Sequence, residues 1–339
     1  MTSAPVSLTE RAPRLTGEEI AGYLVPPRQF DRASLDNYEP DPDYPSQTEA
    51  LEKMRTFAAG WSAAPSGGGW FKRAKRASVG KPGIYLDGGF GVGKTHLLAA
   101  LWHLAPARKY FGTFIEYTAL VGAMGYRGAV DLLSGASLVA IDEFELDDPG
   151  DTMVMTRLLG ELVATGTRVA ATSNTPPNAL GEGRFAAADF LREIHSLSAH
   201  FETVRIDGLD YRRRDIEGHA AVTDAAELDE RLAAEADGGV STVDDFGAVI
   251  AHLAKVHPAS YVRLVDDLQA VGLRDVSPFA SQTDALRFVA LVDRLYDGGV
   301  RIVASGAPLD SVFGEDMLAG GYRKKYLRAI SRLIALSSH

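Results

Sequence analysis

Eight consecutive residues, Gly88-Gly89-Phe90-Gly91-Val92-Gly93-Lys94-Thr95, carry the most specific chemistry in the chain. They fit G-x-x-x-x-G-K-[ST], a glycine-rich turn that follows a strand and opens a helix. Glycines let successive backbone N–H groups turn inward around phosphate oxygens, where a Cβ would obstruct. The helix starting near Lys94 directs its positive dipole end at the same anion. Lys94 would set a cation between the β- and γ-phosphates of ATP, and Thr95 would offer a hydroxyl to Mg2+. A second constellation is Asp142-Glu143, directly after the apolar run Leu138-Val139-Ala140-Ile141. A buried strand there delivers two carboxylates at the edge where open α/β sheets bind ligands. Asp142 is expected to hold Mg2+ through water, and Glu143 to orient the attacking water or take its proton.

A third element is Asn174, which ends the buried stretch Val169-Ala170-Ala171-Thr172-Ser173 just before Thr175-Pro176-Pro177. Placed between the phosphate loop and the Asp142 strand, its amide would orient water against the γ-phosphate. Hydrolysis also needs positive charge on the transferring phosphoryl group, and an arginine finger supplies about 10³–10⁵ in rate. Arg184 ranks first for that role and Arg192 second, ahead of Arg212-Arg213-Arg214. Either would act on a neighbouring subunit's ATP, which requires a homo-oligomer. Near the end of the chain, Arg328 and Arg332 share a helix face. They read as a solvated basic face, with a contact to bound nucleotide as the alternative.

The elements that must position these groups alternate. Ile84-Tyr85-Leu86, Phe111 to Tyr117, Leu138 to Ile141, Arg168 to Thr172 and Phe201 to Ile206 read as strands. Leu97 to Leu104 and Met153 to Val163 read as helices. Strands without polar alternation, separated by helices, predict a parallel sheet covered on both faces. Upstream, Asp36 to Pro45 is full of helix breakers and predicts an irregular strap; Ser46 with Glu49 predicts a capped helix. Residues 216–255 read as helices with an acidic surface, and 256–339 as one further strand–helix–strand pattern ending in a helix. Leu159 to Thr172 lines up without gaps against Val292 to Ser305, and at the same offset Asp142 meets Asp275, leaving Val276 opposite Glu143. The fold class expected is therefore α/β: a P-loop NTPase sheet flanked by helices, with a helical lid and a C-terminal α/β extension. The expected domains are residues 1–82 (strap, helix and linker), 83–215 (ATPase core) and 216–339 (lid and C-terminal region).

Composition narrows the alternatives. Of 339 residues, 46% are hydrophobic and 24% charged, which excludes a largely disordered chain. There is no cysteine, so disulfides, thiolate catalysis and cysteine-ligated metals are excluded. Thirty-five basic against 45 acidic residues give a net charge of −10, which weighs against nucleic acid except through a local basic patch such as Lys72, Arg73, Lys75 and Arg76. No apolar run is long enough to span a membrane and the first residues show no signal-peptide core, so a cytoplasmic setting is expected. His252 and His257 are spaced poorly for one metal and read as structural.

The ordered set FDRASLDNYEPDPDYPSQ, IYLDGGFGVGKTHLL, LVAIDEFELDDPGD, AATSNTPPNAL, GEGRFAAADFLREI, FETVRIDGLDYRRR and ALRFVALVDRLYDGGVRIVAS covers most of the chain. It resembles the ZapE-type, or Afg-one-like, family of AAA+ ATPases in its actinobacterial form. The resemblance implies an ATP-hydrolysing remodelling factor without a protease domain, acting on a protein partner, with FtsZ polymers as that partner. It also implies that the strap with Tyr44, Pro45 and Gln47 lies near the adenine. Two alternatives stay open: a DNA-associated helicase-loader-like ATPase, and a scaffold switched by nucleotide binding.

Overall fold

The computed structural model describes residues 7–62, 81–89, 91–146, 149–180, 191–209 and 219–338. The chain divides into two compact units, residues 16–211 and residues 1–15 together with 212–339. In the first unit the elements run α1 (Gly17–Gly22), α2 (Pro45–Ser62), β1 (Gly83–Gly88), α3 (Lys94–Leu104), β2 (Lys109–Thr113), α4 (Phe114–Leu133), β3 (Leu138–Asp142), α5 (Pro149–Ala164), β4 (Val169–Ser173), α6 (Leu191–Ala199) and β5 (Phe201–Ile206). The five strands form one parallel sheet in the order β2-β3-β4-β1-β5. That order inserts β4 between the phosphate-loop strand β1 and the acidic strand β3.

Strands β1, β3 and β4 are buried along their whole length, which is why their sequences show no polar alternation. Ile84, Leu86, Leu138, Ala140 and Ala170 share one core with Leu97, Leu98 and Leu101 of α3. On the other face, the Tyr85, Phe144 and Phe201 rings meet edge to face. Each fully buried Leu contributes about 1.5–3 kcal/mol of transfer free energy, so α3 is held firmly against the sheet and fixes the phosphate loop at its start.

The expected strand from Phe111 to Tyr117 stops at Thr113. Thr113 caps α4, accepting from the Glu116 N–H while the Glu116 carboxylate accepts from the Thr113 N–H, a reciprocal box that outcompetes continued strand. Ser46 does not cap α2, which begins one residue earlier at Pro45; its hydroxyl instead accepts the Asp207 N–H at 2.9 Å.

The second unit contains α7 (Leu228–Glu235), β6 (Val240–Asp245), α8 (Phe246–Leu253), α9 (Tyr261–Val265), β7 (Leu268–Val276), α10 (Gln282–Gly298), β8 (Arg301–Gly306), α11 (Glu315–Ala319) and α12 (Arg323–Ser337). Its three strands are parallel in the order β6-β7-β8. Strand β6, VSTVDD, lies inside the acidic stretch that reads as helical in sequence. Residues 7–15 also belong here. Leu8 is fully buried among Phe246, Val249 and Leu273, and the Asp244 carboxylate accepts from the Ser7 hydroxyl, the Leu8 N–H at 2.7 Å and the Thr9 hydroxyl. His252 bonds the Arg11 carbonyl at 2.7 Å and His257 accepts the Ala259 N–H, so both histidines are structural. No helix among the described residues is long and apolar enough to cross a membrane.

The sequence echo is real in geometry but shifted by one residue. Val139 pairs with Val169 in the first sheet, and Val271 with Ile302 in the second. Asp275 therefore stands where Glu143 does, not where Asp142 does. Both adopt left-handed φ, +54° at Glu143 and +55° at Asp275. Both donate their N–H to a hydroxyl on the next strand, Thr172 at 3.1 Å and Ser305 at 3.3 Å.

Candidate functional site

The phosphate loop leaves β1 at Gly88 and enters α3 at Lys94. Gly91 and Gly93 have φ of +67° and +83°, the left-handed region that glycine adopts without steric cost. Gly93 is the N-cap of α3, so the free N–H groups of the first helical turn open at the loop. Phe90 lies outside the described residues.

Lys94 is nearly buried, and its ammonium donates to three acceptors: the Gly88 and Gly89 carbonyls and, at 2.9 Å, the Asn174 side-chain oxygen. The strand order explains this meeting. Asn174 follows β4, and β4 runs beside β1, so the amide lies across the loop mouth from Lys94. The Thr95 hydroxyl donates to the Asp142 carboxylate at 3.1 and 3.3 Å. Lys94, Thr95, Asp142 and Asn174 thus gather at the carboxyl edge of the sheet, in two hydrogen-bonded pairs joined by the adjacent Lys94 and Thr95. Glu143 follows Asp142, half-buried, its backbone turned left-handed at the strand tip. A left-handed non-glycine residue costs about 1–3 kcal/mol and persists only where its surroundings fix it.

Thr172 does the fixing. Its hydroxyl donates to the Asp142 carboxylate and accepts the Glu143 N–H, and its carbonyl accepts the Phe144 N–H at 2.7 Å. Thr172 matches no motif in the sequence. The available signal was the first of two hydroxyl residues, Thr172 and Ser173, that end an otherwise apolar strand just before Asn174. Burial pushes the Asp142 carboxyl above the usual carboxylate range and the Glu143 charge adds to the rise; hydrogen bonds from Thr172 and Thr95 and the Lys94 charge pull the other way. A buried carboxylate short of positive charge, beside a hydroxyl, is a hard oxygen donor pair suited to Mg2+.

The strap closes the other side of the loop. Tyr38, buried, donates its hydroxyl to the Val92 carbonyl at 3.0 Å. Gln47, also buried, donates to the Asp207 carbonyl and accepts the Asp41 N–H, both at 2.9 Å. Of the arginines, Arg192 lies exposed on α6, and Arg184 and Arg212 to Arg214 lie outside the described residues, as does the basic cluster Lys72 to Arg76. Arg328 and Arg332 do not form a solvated face. Both are buried in the second unit and donate to the Asp293 carboxylate of α10, because α12 packs that face inward.

A family model for the AFG1-like ATPase matches residues 24–238 and 217–339. The cell division protein ZapE of Escherichia coli K12 is 28% identical over 317 residues, covering 79% of this chain and 81% of that protein. Lactation elevated protein 1 homolog B of Danio rerio is 24% identical, covering 70% of this chain and 58% of that protein. Among solved structures, DnaI is similar at 21% identity with a TM-score of 0.40, over 53% of this chain and 94% of that one. With the family model spanning nearly the whole sequence, the chain belongs to the AFG1-like ATPase family and is a P-loop ATPase.

Proposed function

We propose that the chain is an AAA+ remodelling factor that hydrolyses ATP at the Lys94–Asp142 site and couples each turnover to a protein partner. The observation that carries the site is the convergence of Lys94, Thr95, Asp142 and Asn174 within hydrogen-bond distance at the mouth of a loop with two left-handed glycines. Backbone N–H groups of the loop and of the first turn of α3 would cradle the phosphates, and Lys94 would exchange its carbonyl and amide acceptors for phosphate oxygens. Thr95 and Asp142 would hold Mg2+, which supplies charge neutralisation on the β- and γ-phosphates. Glu143 takes a proton from the attacking water as its oxygen bonds to the γ-phosphorus, and Asn174 orients that water. The bond from the γ-phosphorus to the bridging oxygen breaks, and ADP leaves with that oxygen. Gln47 and the adjacent strap would border the adenine. Arg184, or failing it Arg192, would complete the site of a neighbouring copy in a homo-oligomer.

Likeness supports a partner in cell division. ZapE is named a cell division protein, and we assign this chain a division-ring protein, FtsZ, as its substrate. The test is a pull-down from host lysate with Glu143→Gln held in ATP. Capture of FtsZ with ATP and not with ADP supports the assignment; capture of other proteins only, or no nucleotide dependence, removes it. A change in FtsZ polymers produced equally by ATP and by a non-hydrolysable analogue would make the chain a nucleotide-switched scaffold instead.

A further inference from the structure

Tyr38 lies in the irregular strap, far in sequence from the phosphate loop, and the catalytic scheme above does not use it. Its hydroxyl donates to the Val92 carbonyl at 3.0 Å in a buried contact. Its ring fills the space beside Gly93: a Cβ built there would lie 2.5 Å from Tyr38 Cε2. Burial pushes the phenol up to about 12, so the hydroxyl keeps its proton, and remains a donor, throughout the physiological pH range. The ring also lies 5.8 Å from that of His96 on α3, and His96 in turn bonds the Ser34 carbonyl at 3.0 Å, so Tyr38 of the strap and Ser34 just before it both hold the start of that helix.

The Val92 carbonyl and the Gly93 N–H belong to one peptide group. A trans peptide is planar, and its C=O and N–H point in opposite directions. Gly93 sits at φ +83°, where a flexible glycine peptide would otherwise flip readily. From this we infer that Tyr38 is a positioning residue for phosphate binding: by holding the Val92 carbonyl outward it aims the Gly93 N–H into the cradle. The strap is thereby part of the nucleotide site. This rests on the site assignment made above, since an aimed N–H matters only if phosphate binds there.

The ring and the hydroxyl separate experimentally. Tyr38→Phe keeps the ring against Gly93 and loses only the hydrogen bond. Net hydrogen-bond contributions of this kind correspond to roughly 3–10-fold in an equilibrium. Tyr38→Phe is therefore expected to raise the Kd for ATP and for ADP, and the KM for ATP, by about that factor. Its kcat and its melting temperature should stay close to wild type. Tyr38→Leu, losing ring and hydroxyl, should raise both Kd values further. A Tyr38→Phe variant with wild-type Kd for both nucleotides overturns the inference. So does a variant whose melting temperature falls while Kd holds, because the tyrosine would then be structural only. Lys94→Ala serves as the control: if it binds ATP as wild type does, the site assignment itself has failed, whatever Tyr38 does.

Discussion

Replacing Thr172 by Val removes one hydroxyl with almost no change of shape and tests how the Asp142 and Glu143 carboxylates are held. Thr172 is about 1% exposed, so no water takes the place of the lost group. Two interactions go: the donation to Asp142 and the acceptance of the Glu143 N–H at 3.1 Å. The first is charge-assisted, about 1.5–3 kcal/mol; the second is a neutral bond, about 0.5–1.5 kcal/mol. The second also offsets the left-handed strain at Glu143, about 1–3 kcal/mol, so without it the peptide relaxes and carries the carboxylate away from the water. If about 1.4–2.8 kcal/mol of this appears in the transition state, kcat falls roughly 10- to 100-fold. The KM for ATP should change far less, because Lys94 and the loop are untouched. Steady-state phosphate release on Thr172→Val and Thr172→Ser gives the readout. The serine variant keeps the hydroxyl and should recover most of the rate. Thr172→Val turning over ATP at the wild-type rate would refute the view that this hydroxyl positions Glu143. Equal losses in the valine and serine variants would refute it too.

Two further outcomes concern the second unit. Leu8→Ala empties a fully buried position and is expected to destabilise that unit by about 2–5 kcal/mol, read as faster hydrogen exchange in β6, α8 and β7 with the Kd for ATP unchanged. Unaltered exchange there would show that residues 7–15 are not part of its core. Asp293→Asn leaves Arg328 and Arg332 buried without their carboxylate and should cost about 3–5 kcal/mol in chemical denaturation. Burial alone would raise the Asp293 carboxyl, but the Arg328 and Arg332 guanidiniums outweigh it and hold the carboxyl below its ordinary value. The stabilisation is thus complete above the unfolded pKa of about 4 and lost as pH falls through the lower folded value. The wild-type advantage over Asp293→Asn should shrink on acidification below about pH 4, and an advantage that grows there would contradict the pairing.

The parts of the fold legible in the sequence are those where burial leaves a one-dimensional trace. Strands β1, β3 and β4 are buried on both faces, so Ile84 to Leu86, Leu138 to Ile141 and Val169 to Ala171 stand out as unbroken apolar runs. The loop glycines and Lys94 are legible because phosphate binding dictates residue type and spacing together. What escaped is set by partners distant in the chain. Strand β6 ends in two acids because Asp244 is satisfied by Ser7, Leu8 and Thr9, each at least 235 positions away. Arg328 and Arg332 show helical spacing, but only the packing against Asp293 says which face they occupy. Asp275 falls opposite the wrong acid in a gapless alignment because the stretch joining the paired strands is one residue longer in the second unit, Val271 to Ile302 against Val139 to Val169. Tyr38 carries no motif: its role depends on a peptide 54 positions on.

Glu143 is proposed to activate water beside a nucleotide held by the loop and Lys94. Single-turnover hydrolysis of ATP by Glu143→Gln, measured together with its ATP affinity, tests this most directly. The expected result is affinity within a few-fold of wild type and phosphate release slowed by roughly 100-fold or more, the range for a positioned base. Hydrolysis by Glu143→Gln at the wild-type rate would contradict it.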